Sequence, residues 1–123
     1  MLEKKKRWRL CRDYKKGKFC FLIGVDNWSI ELQKSEFESL YFLLLKINRQ
    51  LSDIKNDLME EEYISIELEQ LPWYIELDGK KNKWNLRFVF ESQDQTRSFE
   101  MYWPTSVAKN LFCEVKTMWE SMD

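Results

Sequence analysis

The chain has 123 residues, 44% of them apolar and 33% charged, which is the balance of one folded domain and excludes an intrinsically disordered protein. It contains no His, so the commonest general base and metal ligand is missing, and its three Gly are too scattered to form a phosphate-binding loop. The formal net charge is −1, but residues 1–18 carry nine basic and two acidic side chains.

Three short strands are predicted before the first helix. Alternation of apolar and polar side chains predicts strands over residues 7–12 and 28–32. The nearly continuous apolar run over residues 18–25 predicts a strand that is either covered on both faces or placed centrally in its sheet. Residues 13–17 and 26–27 supply the turns, so the first part of the chain is predicted to be an antiparallel sheet.

A long amphipathic helix is predicted over residues 35–58. Seven apolar residues recur there at steps of three and four: Phe37, Leu40, Leu44, Ile47, Leu51, Ile54 and Leu58. Ser35 and Glu38 have the spacing of a capping box, which marks the start. Four further apolar residues widen the stripe in the first half of the helix: Tyr41, Phe42, Leu43 and Leu45. The helix therefore requires cover from more than one direction, either by the chain's own sheets or by another subunit.

Four antiparallel strands are predicted to follow the acidic residues 60–62. Hairpin turns at residues 70–73, 79–82 and 92–97 place every large apolar side chain of these strands on one face. The predicted register sets Ile66 and Leu68 opposite Leu77 and Ile75, Leu77 and Ile75 opposite Trp84 and Leu86, and Leu86 opposite Trp103. A slip of one residue in any pair would break this agreement.

Pro104 ends the last strand, and Thr105 is predicted to cap a final helix. The order βββα-ββββα predicts an α+β fold in which two antiparallel sheets are braced by two helices. We expect a single domain over residues 1–123, with one half at about 7–58 and the other at about 62–121.

Two segments carry a resemblance to a known family. Asn-Trp-Ser-Ile-Glu-Leu over residues 27–32 enters the long helix, and Glu-Tyr-Ile-Ser-Ile-Glu over residues 62–67 follows it. With the order of elements, these resemble a small uncharacterised cyanobacterial family, whose architecture is similar to Whirly-type domains that bind single-stranded nucleic acid. Lys16-Gly17-Lys18 also resembles the Lys-Gly-Lys motif of Whirly proteins, although Phe19-Cys20-Phe21 replaces their small Ala-Ala pair.

The basic amino-terminal strands are one candidate interface for single-stranded nucleic acid. Their cations lie close to Trp8 and Tyr14 in the sequence: Arg7, Arg9, Lys15, Lys16 and Lys18. Cations that neutralise phosphates, together with rings that stack on bases, are how single strands are held without sequence reading. The alternative is a solvated basic terminus, with Trp8 anchored in the core.

The outer face of the four-stranded sheet is a second candidate. The predicted register places Tyr74, Arg87 and Tyr102 side by side, which would set a guanidinium between two rings. It also places Glu67 opposite Glu76, a repulsive pair that a cation, a basic partner or Arg87 would relieve. If the first three strands or the long helix cover this face, the row is a structural cluster instead.

The cysteines and the hydropathy pattern indicate the setting in which the chain works. Cys11, Cys20 and Cys113 lack the spacing of a disulfide framework and fall in patterns typical of small buried hydrophobic residues. No stretch of about twenty apolar residues is available to cross a bilayer. We therefore expect a reduced, cytoplasmic protein with no membrane partner, no metal and no cofactor.

The sequence predicts a binding protein rather than an enzyme. The first hypothesis is binding of single-stranded DNA or RNA by the basic amino-terminal sheet, although a pI near 5.7 is low for this class. The alternative is a protein-interaction or assembly factor, which uses the long helix to dimerise or to dock a protein partner. An enzyme, the third hypothesis, would depend on carboxylates such as Glu67.

Overall fold

Seven strands and two helices make up residues 7–122, the part of the chain that the computed structural model describes. In chain order they are β1 (Trp8–Arg12), β2 (Phe21–Val25), β3 (Trp28–Leu32), α1 (Lys34–Lys55), β4 (Tyr63–Gln70), β5 (Trp73–Lys80), β6 (Lys83–Glu91), β7 (Ser98–Trp103) and α2 (Thr105–Glu120). The strands form an antiparallel sheet β1-β2-β3 and a second antiparallel sheet β4-β5-β6-β7. The predicted α+β fold and its order βββα-ββββα are confirmed.

The central strand of the smaller sheet is β2, as its apolar sequence predicts. Phe21, Ile23 and Val25 alternate toward the core and are fully buried. Between them, Leu22 and Gly24 face outward, where Leu22 is opposite Glu31 of β3. This sheet therefore has one face packed on the core and one face directed outward, which is typical of antiparallel sheets.

Helix α1 begins at Lys34, one residue before the predicted start, and its N-cap is Gln33 rather than Ser35. The backbone N–H of Gln33 donates to Oε1 of Glu36 over 2.8 Å, so the capping glutamate is Glu36 and the predicted pair of Ser35 and Glu38 is wrong. The helix also ends at Lys55 rather than at Leu58. Ile54 is 38% exposed because the buried stripe ends before it, at Leu51.

The strands of the larger sheet pair largely as predicted. Ile66 lies opposite Leu77, and Leu86 lies opposite Trp103. The register between β5 and β6 is wrong by two residues, because Leu77 lies opposite Leu86 rather than Trp84. The cause is the position of the hairpin turn. Lys80 pairs with Lys83, so Lys81 and Asn82 form the turn, whereas the predicted turn over residues 79–82 is centred one residue earlier. A shift of two residues leaves every side chain on its face, so the apolar pattern cannot distinguish the two registers.

The two helices join the sheets through one core. Helix α1 packs on β4 and β5, while α2 packs on β6, β7 and β1. Phe21 of the smaller sheet stacks on Phe37 of α1, with ring centroids 4.2 Å apart. In the larger sheet, Trp73 donates its indole N–H to the carbonyl oxygen of Glu36 over 2.9 Å. These contacts are the bracing that the order of elements predicts.

The widened stripe of α1 is covered only in part by the chain itself. Tyr41 and Leu43 are buried, whereas Phe42 is 44% exposed and Leu45 is half-buried. Within residues 7–122, neither helix combines the length and the hydropathy that a membrane span requires. The exposed residues of α1 are thus a limited patch on an otherwise packed helix.

Candidate nucleic-acid interface

The connection between β1 and β2 contains an exposed basic loop, residues 13–18. Tyr14–Lys16 forms one turn of 3-10 helix, and the Asp13 carboxylate accepts a hydrogen bond from the Lys15 backbone N–H over 3.0 Å. Gly17 follows with a φ of 73°, a left-handed conformation that favours glycine. The backbone N–H of Asp13 donates a hydrogen bond to the carbonyl oxygen of Cys20 over 2.8 Å, and this bond closes the loop. This local geometry holds the Lys16-Gly17-Lys18 segment at the surface.

Beside the basic loop lies a groove of about 510 Å³ on the outer face of the smaller sheet, which we call the amino-terminal groove. Its lining includes Lys16, Phe19, Leu22, Ser29, Glu31 and Arg97. The Arg97 guanidinium carbon lies 4.7 Å from the centroid of the Phe19 ring, and Lys18 Nζ lies 5.8 Å from the same centroid. The groove therefore brings an aromatic ring and several cations to one surface.

Arg7 and Arg9 are occupied by contacts within the fold. The Arg7 guanidinium donates to both carboxylate oxygens of Asp26, over 2.9 and 3.0 Å, and holds the pKa of that carboxyl below its usual range. Arg9 lies across Gly24 and donates to the carbonyl oxygens of Asp26 and Trp28 over 3.0 and 2.7 Å. Both arginines thus stabilise the turn after β2.

The three predicted lysines lie together in the basic loop. Lys16 Nζ donates to the Glu31 carboxylate over 2.8 Å, and this contact raises the pKa of Lys16. Both partners of the pair are about half exposed. The side chains of Lys15 and Lys18 are exposed as well. The structure therefore keeps Lys15, Lys16 and Lys18 together in the exposed loop, where Lys16 lines the groove and Lys18 lies near Phe19, and it leaves the two arginines in structural contacts.

Sequence reasoning missed two residues of the groove, Phe19 and Arg97. Phe19 was noted only as a departure from the Whirly motif. Arg97 was placed in a turn of the larger sheet, but it donates to the carbonyl oxygen of Glu31 over 3.1 Å and to the buried carboxylate of Glu36. Glu31 lies 66 positions away along the chain, so no local pattern points to this contact.

On the larger sheet, the predicted row of Tyr74, Arg87 and Tyr102 needs correction. Arg87 does lie opposite Tyr102, but its partner on β5 is Glu76, while Tyr74 lies opposite Val89 because of the two-residue shift. No described element covers this face, and Tyr102 is 49% exposed. Only Arg87 and Tyr102 of the predicted row therefore lie side by side, and Tyr74 lies two positions further along the neighbouring strand.

The cation of that row is bound by carboxylates. Arg87 donates to Glu76 over 3.2 Å and to Glu100 over 3.0 Å. The Tyr74 hydroxyl donates to the same Glu76 carboxylate over 2.8 Å, which raises the pKa of Tyr74 to about 12. Glu67 lies opposite Glu76, as predicted, and Arg87 is the cation that contacts Glu76.

The outer face of the larger sheet is acidic overall. Strand alternation places six carboxylates on it, Glu67, Glu69, Glu76, Asp78, Glu91 and Glu100, against three cations, Lys80, Lys83 and Arg87. Such a face repels phosphate, whereas the basic loop attracts it. The two candidate interfaces therefore differ in the sign of their charge.

The cysteines are not all buried. Cys20 is buried as predicted, but Cys11 and Cys113 are exposed, because each occupies an outward position of its strand or helix. Among residues 7–122, no group of three or more Cys, Asp and Glu side chains is arranged to hold a metal ion.

Comparisons with known proteins give a family match and a similar solved structure. The sequence model of DUF1818, a domain of unknown function, matches residues 3–118. A solved structure of a protein of unknown function from the DUF155 family of Prochlorococcus sp. NATL2A is similar, with a TM-score of 0.86 and 36% sequence identity over 97% of this chain and 99% of that chain. A comparison with curated protein sequences finds no match.

Proposed function

This chain belongs to the DUF1818 family of domains of unknown function, and we propose from its geometry that it binds single-stranded DNA or RNA. The observation that carries the proposal is the basic loop, which places exposed lysines beside the aromatic ring of Phe19 in the amino-terminal groove. In this proposal the protein acts in the cytoplasm by binding, without catalysis and without a cofactor.

The lysines supply the contacts to phosphate. Lys15 and Lys18 are exposed, and the ion pair between Lys16 and Glu31 is open to solvent on both sides. Exposed pairs of this kind contribute about 0–1 kcal/mol, so a phosphate can replace Glu31 at little cost. Binding by three such cations depends strongly on salt, because each contact releases counterions.

The aromatic rings supply the contacts to bases. Tyr14 is 58% exposed at the tip of the basic loop, where the Arg12 guanidinium carbon lies 5.5 Å from its ring centroid. Phe19 lines the groove itself. Stacking of a base on an aromatic ring contributes about 1–3 kcal/mol and tolerates any sequence. The Whirly-like fold remains a prediction, and it agrees with this choice of ligand.

The test is fluorescence anisotropy of a labelled mixed-sequence single-stranded oligonucleotide, at low and at physiological salt. The wild type is compared with a triple variant in which Lys15, Lys16 and Lys18 become Glu. The matched control changes Lys80, Lys81 and Lys83 to Glu, which alters the net charge equally at the β5–β6 turn. We expect the loop variant to lose at least about tenfold in affinity and the control to lose much less. Absence of wild-type binding at low salt, or equal losses in both variants, would exclude the proposed site.

A protein interaction through α1 is the second candidate function. The exposed Phe42 lines a groove of about 380 Å³ together with Leu45, Lys46, Arg49 and Gln70. The Gln70 side-chain oxygen is buried there and accepts no hydrogen bond from any residue in the range 7–122. An apolar patch beside an unsatisfied acceptor is typical of a surface that a partner covers.

We propose a second copy of this chain as that partner, and sedimentation velocity tests it. A concentration-dependent dimer that Phe42→Asp abolishes, and that salt barely affects, would support this function. The matched control is Met59→Asp, since Met59 is also exposed but lies outside α1. A wild type that stays monomeric at high concentration would rule out the dimer.

A further inference from the structure

A separate cleft lies between the second half of α1 and the first half of α2. Its volume is about 320 Å³, within the range of small-molecule sites. Leu51, Trp84 and Phe112 form its apolar floor, and each keeps only a narrow exposed edge. Lys55 and Lys109 stand at its rim, one on each helix. No residue of the amino-terminal groove takes part in this cleft.

The cations at the rim are available to a ligand. Among the described residues, neither Lys55 nor Lys109 forms an ion pair with a carboxylate. Lys109 Nζ donates to the carbonyl oxygen of Asn82 over 3.2 Å and lies 6.0 Å from the centroid of the Trp84 ring. It is therefore held over the apolar floor while its charge remains uncompensated.

We propose that this cleft binds a small monocarboxylate with an apolar body. The body would pack on Trp84 and Phe112, and the carboxylate would accept hydrogen bonds from Lys55 and Lys109. An apolar floor with a lysine on each bordering helix is complementary to an anion of this kind, whereas it offers no carboxylate to a cationic ligand. This site is independent of the nucleic-acid proposal.

The experiment is an NMR titration of the full chain with octanoate, observed at the Trp84 indole N–H. Octanol and octylammonium, which have the same alkyl chain, are titrated in parallel. We expect a saturable shift with octanoate and at least about fivefold weaker binding of the neutral alcohol, as for the loss of two half-exposed charge contacts. A variant with Lys55→Gln and Lys109→Gln should show the same loss, while Lys34→Gln, at the opposite end of α1, should not.

A second readout uses the exposed thiols. Cys113 lines the cleft, whereas Cys11 lies on β1, so Cys11 is an internal control. Octanoate should slow alkylation of Cys113 by iodoacetamide and leave the rate at Cys11 unchanged. The proposal is overturned if no saturable shift of Trp84 occurs, if octanol binds as tightly as octanoate, or if both thiols are protected equally.

Discussion

Arg97, the residue before β7, donates a hydrogen bond from Nη2 to Oε2 of Glu36, which lies in the first turn of α1, 61 positions earlier. Glu36 is 7% exposed, and its other oxygen accepts from the Gln33 backbone N–H. One buried carboxylate therefore caps the first turn of the long helix and also joins this helix to the larger sheet.

Removing the arginine should destabilise the protein strongly. We expect Arg97→Met to lower the free energy of unfolding by about 3 kcal/mol, because it leaves the Glu36 carboxylate buried without its cation. Urea unfolding measures the change. The double variant with Glu36→Gln should be more stable than Arg97→Met alone, since the uncompensated charge is then gone. If the two single losses simply add, the pair does not couple and the prediction is wrong.

Two glycines with positive φ provide a matched test of backbone space. A Cβ at Gly79, where φ is 148°, would lie 2.3 Å from the Lys83 carbonyl oxygen, a contact that requires the hairpin to move. At Gly17, where φ is 73°, no atom lies within 4 Å of the added Cβ. We expect Gly17→Ala to cost about 1 kcal/mol from backbone strain alone, and Gly79→Ala to cost clearly more. Thermal unfolding of both variants checks the order, and the reverse order would contradict the hairpin geometry.

Tyr74 should make stability depend on alkaline pH. Its hydrogen bond to Glu76 raises the pKa of Tyr74 to about 12, above the ordinary tyrosine value of about 10. Below pH of about 10 both the folded and the unfolded chain keep the Tyr74 proton, so the hydrogen bond makes its full contribution to stability. As the pH rises from about 10 to about 12, only the unfolded chain loses the proton, and stability falls.

Unfolding of wild type and Tyr74→Phe by urea across this pH range measures the effect. The wild type should lose more stability than the variant between the two pKa values. Tyr63→Phe is the control, because it removes the hydroxyl group of an exposed tyrosine on the same face of the sheet. If the free energy of unfolding changes with pH in the same way for the wild type and Tyr74→Phe, the hydrogen bond to Glu76 does not raise the pKa of Tyr74.

Asp94 should make stability fall as the pH decreases, which is the opposite of the effect of Tyr74. Its carboxylate accepts from the hydroxyls of Thr96 and Ser92 over 2.7 and 2.8 Å, and these bonds lower the pKa of Asp94 to about 2. Its contribution to stability is complete above the ordinary pKa of about 4 and is lost as the pH falls to about 2. NMR titration of the Asp94 side-chain carbon measures this pKa directly. Thr96→Val should raise it, and an unchanged value would contradict the structure.

The faces of the strands were predictable from the sequence, whereas one register was not. Period-2 alternation assigns Leu77 and Leu86 to the core, and that assignment survives a shift of two residues. The pairing of Lys80 with Lys83 is decided by the hairpin instead, since Gly79 adopts a φ of 148° inside β5. A turn predicted from the Asp78-Gly79 signal therefore falls in the right region and in the wrong register.

The start of α1 shows a similar limit. Ser35 with Glu38 and Gln33 with Glu36 have the same spacing, and sequence alone favours the serine as a capping residue. The structure uses Glu36, which also meets Arg97 and Trp73 from the larger sheet. These tertiary contacts decide between two local solutions of similar quality.

The candidate site was predictable only where it is local. Lys15, Lys16 and Lys18 lie within one short loop, so their proximity follows from the sequence. The contribution of Arg97 depends on packing between the two sheets, and the occupation of Arg7 and Arg9 depends on acceptors in the next turn. Charge in the sequence therefore indicates where the cations cluster, and the folded contacts decide which of them remain free of structural partners.

The packing of β1 against α2 has a consequence for the nascent chain. Arg7, at the edge of β1, donates to the Ser106 hydroxyl over 2.8 Å, and these residues are 99 positions apart. Because ribosomes add about 5–20 residues per second, β1 waits roughly 5–20 s for this helix to be synthesised. During that time the apolar side chains of β1, Trp8 and Leu10, lack the cover that α2 provides. Translation thus exposes this apolar surface early and covers it only after α2 has been synthesised.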